Sequence, residues 1–105
     1  MSKSVIIAVD AMGGDNSPGK VIAGISEYLK RNNDVFFRIF GNSTKIQYEI
    51  KKNSVNQENY QIIDCEDFVS NNDTPLTAAK KKKTSMWQAI NDVNQKKSHV
   101  VVSAG

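Results

Sequence analysis

Short apolar runs alternate with amphipathic stretches along this chain, and this alternation limits the folds that it can adopt. The apolar runs are rich in Val, Ile and Phe, which is typical of buried strands. The stretches between them carry apolar residues at helical spacing, so strands and helices are predicted to alternate. That order favours a parallel sheet with helices packed against it. The predicted strands are residues 5–9, 35–40, 60–63 and 99–102.

Three helices are predicted between these strands, because polar residues that can serve as N-caps precede each apolar stripe. The first helix follows Pro18, which suits an opening helical turn, and is expected to end near residues 32–33. The third is expected to present Met86, Ala89, Ile90 and Val93 on one face. The predicted N-caps are Asn16 or Ser17, then Ser43, then Thr84 or Ser85.

The turn after the first strand is the clearest sign of a ligand site. Asp10 ends the apolar run, and Gly13 and Gly14 follow before Pro18. Open α/β sheets bind ligands outside the carboxyl ends of their strands, and glycine permits a close approach of backbone to phosphate. The glycine spacing matches neither the P-loop nor the dinucleotide fingerprint, and Asp10 and Asp15 would repel an anion. A turn that needs a positive φ is therefore favoured over a phosphate cradle, and both interpretations stay open.

Small residues also follow the last predicted strand. Ser103 and Gly105 stand at its carboxyl end, and in a parallel sheet they would share an edge with Asp10 and Gly13. Two strand ends would then line one cleft. The alternative is that small residues simply make a tight turn there.

Composition narrows the class of protein. With 39% hydrophobic and 24% charged residues, the 105-residue chain has the composition of a folded, soluble domain. No apolar run approaches the roughly 20 residues that span a bilayer. The single cysteine, Cys65, cannot form an internal disulfide, so a cytoplasmic location is expected. Glu66 and Asp67 beside it are expected to raise its thiol pKa, which favours a structural role.

The net charge of +3 is modest, and much of the positive charge is in Lys80, Lys81, Lys82 and Lys83. Such a run is usually a solvated face, and binding to an acidic partner is the alternative. No aromatic residue interrupts it, so nucleic-acid binding is not expected. His99 has no second ligand at metal spacing, and neither a metal nor a cofactor is expected.

Several segments, in this order and spacing, together resemble the PlsX family of phosphate acyltransferases. The most specific is the run Asp-Ala-Met-Gly-Gly-Asp at residues 10–15. The resemblance extends over the whole chain. The other matching segments are Pro18, Gly41-Asn42, Ser85-Met86 and residues 102–105, Val-Ser-Ala-Gly.

The resemblance implies a Rossmann-like α/β fold, with a mostly parallel sheet and flanking helices. It also implies an enzyme of bacterial phospholipid synthesis that transfers a fatty acyl group from acyl carrier protein to inorganic phosphate, giving acyl phosphate. The family implies a cytoplasmic homodimer that associates peripherally with the membrane. By resemblance, the pocket-lining candidates are Asp10, Gly13, Gly14, Asp15, Ser103 and Gly105, with Lys80, Lys81, Lys82 and Lys83 as a carrier-protein contact.

Family members are several times longer than this chain. Residues 1–105 are therefore expected to be the N-terminal part of a single α/β acyltransferase domain, truncated after about four strands, and to be inactive alone. No catalytic role is assigned to any residue. The alternatives are a non-catalytic remnant of such an enzyme and, less favoured, a small phosphate- or nucleotide-binding module.

Overall fold

A computed structural model describes residues 4–14, 16–65 and 84–103 of the chain. Its strands are β1 Val5–Asp10, β2 Val35–Gly41, β3 Tyr60–Asp64 and β4 Val100–Ser103. Its helices are α1 Gly19–Leu29, α2 Ser43–Lys52 and α3 Ser85–Asn94, with one 3-10 turn at Gln57–Asn59. The strands form one parallel sheet in the order β3-β2-β1-β4, which confirms the predicted α/β class.

The sheet has an apolar layer on each face, because successive strand residues point to opposite sides. On one face Val9 and Ile39 pack against α1 and α2, which contribute Ile22 and Ile46. On the other face Ala8 and Phe40 pack with Cys65 and with Ala89 of α3. Helices thus cover both faces of the sheet within the described residues, as a parallel sheet requires.

The start of α1 differs from the prediction. Pro18 occupies the N-cap position, and no side chain caps the helix. Asn16 instead has a φ of 61°, and the Ser17 hydroxyl donates a hydrogen bond to the carbonyl of Gly13. Both predicted caps are therefore wrong, because Asn16 and Ser17 belong to the turn that precedes the helix. The helix also ends at Leu29, earlier than expected.

The other two helices are capped by polar side chains. In α2 the cap is Asn42, whose side chain accepts a hydrogen bond from the Lys45 N–H at 3.1 Å, so the prediction of Ser43 was one residue late. In α3 the predicted cap Thr84 is confirmed, since its hydroxyl accepts from the Trp87 N–H at 3.1 Å.

The buried face of α3 is more polar than its sequence suggests. Asp92 is 5% exposed, whereas Ile90, expected on the buried face, is 44% exposed. The reason lies in β2, where Arg38 places its guanidinium under the helix. Its Nε and Nη2 donate to the two Asp92 carboxylate oxygens at 2.8 and 3.1 Å, and the Ser98 hydroxyl donates to the same carboxylate at 2.8 Å. The paired charges turn the helix so that Asp92 faces the sheet.

The last strand begins one residue later than predicted. His99 precedes β4, and its ring Nδ1 accepts a hydrogen bond from the Ile6 N–H at 2.9 Å. The His99 N–H donates to the Ile6 carbonyl at 2.8 Å. The imidazole therefore continues the pairing of β1 with β4. Among the described residues, no helix is both long and apolar enough to cross a membrane.

Gly41, at the end of β2, offers a test of packing. A Cβ at this position would lie 2.7 Å from Met12 Cγ and 2.8 Å from Met12 Sδ, and the residue has a φ of 158°. Gly41→Ala is expected to lower the free energy of unfolding by about 1–3 kcal/mol through overpacking. Urea denaturation followed by circular dichroism measures the loss.

Gly24 in α1 is the matched control, because a Cβ there would meet no atom within 4 Å. Gly24→Ala is expected to raise the free energy of unfolding by about 0.5–1 kcal/mol through helix propensity alone. Equal effects of the two substitutions would contradict the close approach of Met12 to Gly41.

Candidate functional site at the carboxyl edge of the sheet

The order of strands creates a crevice between β1 and β4. The chain adds β2 and β3 on one side of β1 and then places β4 on the other side. In doubly wound sheets, ligands bind at such a reversal, outside the carboxyl ends of the strands. Asp10 and Ser103 end these two strands and are partners in the parallel register. The topology therefore brings two of the sequence-predicted residues to the edge where a ligand would bind.

Asp10 holds this edge together. Its side chain is buried, at 2% exposure, and its carboxylate accepts three hydrogen bonds. Oδ1 accepts from the Met12 N–H at 3.1 Å and from the Ser85 hydroxyl at 2.5 Å, and Oδ2 accepts from the Ser103 hydroxyl at 2.9 Å. One carboxylate thus links the turn after β1, the first residue of α3 and the end of β4.

Ser85 belongs to this cluster although it was not among the predicted site residues. It is fully buried and stands at the start of α3. A serine next to a helix cap has an ordinary explanation in the sequence, so only the resemblance of the Ser85-Met86 pair hinted at anything further. The contact with Asp10 spans 75 positions and depends on how α3 packs on the sheet.

The turn after β1 contains the predicted glycines. Gly14 has a φ of 79°, a conformation that glycine adopts readily, whereas Gly13 is buried. The positive φ that was predicted for this turn is therefore found at Gly14. The remaining predicted residues lie outside the described residues: Asp15, Lys80, Lys81, Lys82, Lys83 and Gly105.

A groove of about 490 Å³ runs from this edge between α1 and the sheet. Its volume is within the range of small-molecule sites, about 300–1,000 Å³. Its polar end consists of Asp10, Gly14, Ser17 and Lys20. Apolar side chains form the rest of the lining, including Ile7, Val9, Val21, Ile25, Phe37 and Val102.

Lys20 supplies the positive charge at the polar end of the groove. Its side chain is exposed in the first turn of α1, and within the described ranges it forms no ion pair. The free N–H groups of a helix N-terminus add a partial positive charge. Because the Asp10 carboxylate is buried and already accepts three hydrogen bonds, this end of the groove suits an anionic group.

Cys65 follows β3 and packs in the layer beneath α3. Burial raises the pKa of its thiol from 9.0 to about 11, and the nearby carboxylates of Asp64 and Asp10 add to the increase. The expected increase is confirmed, but its main cause is desolvation. Glu66 and Asp67, to which the sequence analysis attributed it, lie outside the described residues. A thiol held neutral in this way is a poor nucleophile. Among the described residues, no group of His, Cys, Asp and Glu side chains could hold a metal ion.

Comparisons with known proteins add independent information. The family model described as "Fatty acid synthesis protein" matches residues 5–105. The phosphate acyltransferase of Pelagibacter ubique is 51% identical over 106 residues, that of Clostridium acetobutylicum 42% over 102, and that of Neorickettsia sennetsu 42% over 108. These alignments cover 100%, 96% and 100% of this chain but 31%, 31% and 32% of the relatives. The chain therefore spans under a third of the length of the relatives it matches.

The role of Asp10 in holding the edge can be tested by stability. Asp10→Ala leaves the Ser85 hydroxyl and the Met12 N–H without their acceptor, and the expected loss is about 2–4 kcal/mol of unfolding free energy. Ser103→Ala removes one donor at an exposed residue and should cost less than about 1 kcal/mol. Urea denaturation of both variants provides the comparison. A loss at Asp10→Ala no larger than at Ser103→Ala would show that the carboxylate does not organise this edge.

The chemistry of Cys65 can be tested with iodoacetamide. Because the folded thiol has a pKa of about 11 against 9.0 when unfolded, its thiolate fraction at pH 8 is about 100-fold smaller. Alkylation of the native chain should therefore be at least that much slower than in urea. The raised pKa does not affect stability below pH 9, and stability should fall as the pH rises from 9 to 11. Cys65→Ala, which lacks the thiol, should not show that fall.

Proposed function

The chain belongs to the fatty acid synthesis protein family, and on that premise we propose that it forms the N-terminal part of a phosphate acyltransferase. The enzyme transfers a fatty acyl group from acyl carrier protein to inorganic phosphate and gives acyl phosphate for phospholipid synthesis. The observation that carries the proposal is the groove whose cationic end opens at the crevice between β1 and β4. The names of the relatives support the same activity.

The reaction joins two substrates without a covalent enzyme intermediate. A phosphate oxygen attacks the thioester carbonyl carbon, so a C–O bond forms and the C–S bond breaks. The proton of hydrogen phosphate ends on the carrier thiol. The protein has to hold the phosphate, orient the carbonyl and stabilise the oxyanion. The absence of any need for a protein nucleophile agrees with the raised pKa of Cys65.

The groove's polar end is suited to phosphate. Lys20 offers a positive charge, and Gly14 lets the backbone approach an anion closely. Asp10 acts as a positioning residue, since it is buried and fixes Ser103 and Ser85. In this proposal Lys20 contacts the phosphate, and Asp10 preserves the shape of the edge beside it.

The partners of the proposed enzyme follow from the same assignment. The acyl carrier protein is acidic and would be attracted by the basic run Lys80, Lys81, Lys82 and Lys83. The complete enzyme would be a cytoplasmic homodimer associated peripherally with the membrane, from which its product passes to glycerol-phosphate acylation. The chain alone would be inactive, because the matched relatives are about three times longer.

A joined protein tests the proposal. Residues 1–105 are fused to the segment of the Pelagibacter ubique relative that follows its aligned region, and palmitoyl-carrier protein is incubated with radiolabelled phosphate. Labelled acyl phosphate and free carrier thiol should appear in equal amounts with the joined protein, and neither with residues 1–105 alone. Failure of the joined protein, with the intact relative active in parallel, would contradict the proposal.

Lys20→Gln provides the residue-level test in the joined protein. Loss of its charge-assisted contact should lower kcat/KM for phosphate by about tenfold or more. Lys45→Gln is the matched control, because Lys45 is an exposed lysine of α2 that does not line the groove. Equal kinetics of the two variants would remove Lys20 from the phosphate site.

A further inference from the structure

We propose that His99 makes the pairing of β4 with β1 sensitive to pH, because its neutral imidazole holds the amino end of β4 and a protonated ring cannot. The ring Nδ1 accepts a hydrogen bond from the Ile6 N–H at 2.9 Å. The His99 N–H donates to the Ile6 carbonyl at 2.8 Å. One residue of β1 is therefore bound twice by one histidine, just before the register of the two strands begins at Ile7 and Val100. This contact is independent of the proposed function.

The hydrogen bond from Ile6 requires a neutral ring. A backbone N–H can only donate, so Nδ1 must present a lone pair and the ring proton must be on Nε2. In the imidazolium form both ring nitrogens carry protons. The Nδ1–H group would then face the Ile6 N–H, two donors without an acceptor, and the ring would turn away. Histidine ordinarily changes charge between pH 5 and 8, so the hydrogen bond is lost as the pH falls through this range.

β4 depends on contacts at its ends because its other contacts are few. It has four residues and lies at an edge of the sheet, where among the described strands it pairs with β1 alone. Val100 and Val102 are 45% and 52% exposed, whereas Val101 packs in the apolar layer beneath α3. Side-chain hydrogen bonds join its two ends to β1, through His99 at the amino end and Ser103 at the carboxyl end. Because elements with few buried contacts open at a low free-energy cost, the loss of one end contact weakens the pairing.

The other charged groups around His99 do not supply this pH dependence. Among the described residues, those on or next to β1, β2, α3 and the loop between α3 and β4 are Asp10, Asp34, Arg38, Asp92, Lys96 and Lys97. Asp10 lies at the opposite end of β1, and the Asp92 carboxylate is paired with Arg38. Carboxylates, lysine and arginine ordinarily keep their charge between pH 5 and 8, and His99 is the single histidine of the chain. Titration of this end of the sheet between these pH values is therefore assigned to His99.

The contact also bears on the candidate site at the other end of the same strands. Ser103 lies four residues after His99, about 13 Å along an extended strand. Ser103 and Asp10 are partners in the register and share a hydrogen bond. Release of the amino end of β4 at low pH therefore removes one of the side-chain attachments of the strand that carries Ser103 to the crevice.

Three forms of the 105-residue chain test the assignment: the unaltered chain, His99→Asn and His99→Ala. Asparagine can place its Oδ1 acceptor near the position of Nδ1 and does not titrate, whereas alanine offers no acceptor. Urea unfolding at pH 8.0 and at pH 5.5 gives the equilibrium constant of unfolding for each form. Between pH 8.0 and pH 5.5 this constant should rise about fivefold more in the unaltered chain than in His99→Asn. In His99→Ala it should be about fivefold larger than in His99→Asn at both pH values.

Nitrogen NMR of the unaltered chain observes the contact directly. At pH 8.0 the single histidine should show a proton on Nε2 and none on Nδ1, and the Ile6 amide should be protected from hydrogen exchange. At pH 5.5 the protection factor of Ile6 should fall about fivefold or more. Ala11 is the internal control, because its N–H donates to the Phe40 carbonyl on the β2 side of β1. Its protection factor should not fall with that of Ile6.

Two results would overturn the proposal. A proton on Nδ1 at pH 8.0 would do so, because that nitrogen could not accept a hydrogen bond from Ile6. Equal pH dependence of unfolding in the unaltered chain and in His99→Asn would also do so, because the titration would then belong to other groups. Neither result bears on acyl transfer, which these measurements do not involve.

Discussion

The arrangement of the described structure depends on the buried carboxylate of Asp10. A carboxylate away from water is costly unless donors surround it, and here the donors come from a turn, a helix and a strand. The hydrogen bonds from Ser85 and Ser103 to the Asp10 carboxylate therefore fix the position of α3 relative to β1 and the position of the end of β4. The layer of apolar residues under α3 follows from that placement. The residue that most resembles a reactive group is thus a structural link, and a groove opens beside it.

Much of the fold was predictable because its signals are local or periodic. Apolar runs and helical stripes identified the strands and helices, and their alternation predicted the parallel sheet. The helix caps were less accurate, since Asn42 and Ser43 are both good caps and only the final backbone geometry selects one. The orientation of α3 was not predictable from its own residues. It follows from the pairing of Asp92 with Arg38, which is 54 positions away in the sequence.

The candidate site was also predictable in part. The meeting of Asp10 with Ser103 follows from parallel strands, because their carboxyl ends share an edge. The contact of Ser85 with Asp10 was not visible, since it requires the packed position of a helix. The groove was also missed, because its lining combines α1 with residues of three strands that are far apart in the sequence. It is visible only when those strands are in place.

The pairing of β1 with β4 has a consequence for how the molecule assembles. The Ser103 to Asp10 hydrogen bond joins groups 93 positions apart, whereas β1 finds β2 much earlier in the chain. Long-range pairing is slow because a large loop must close before any contact forms. During synthesis, β1 can pair with β2 on one side before β4 is available to its other edge. Among the described strands, the edge between β1 and β4 therefore forms after the pairing of β1 with β2 and of β2 with β3.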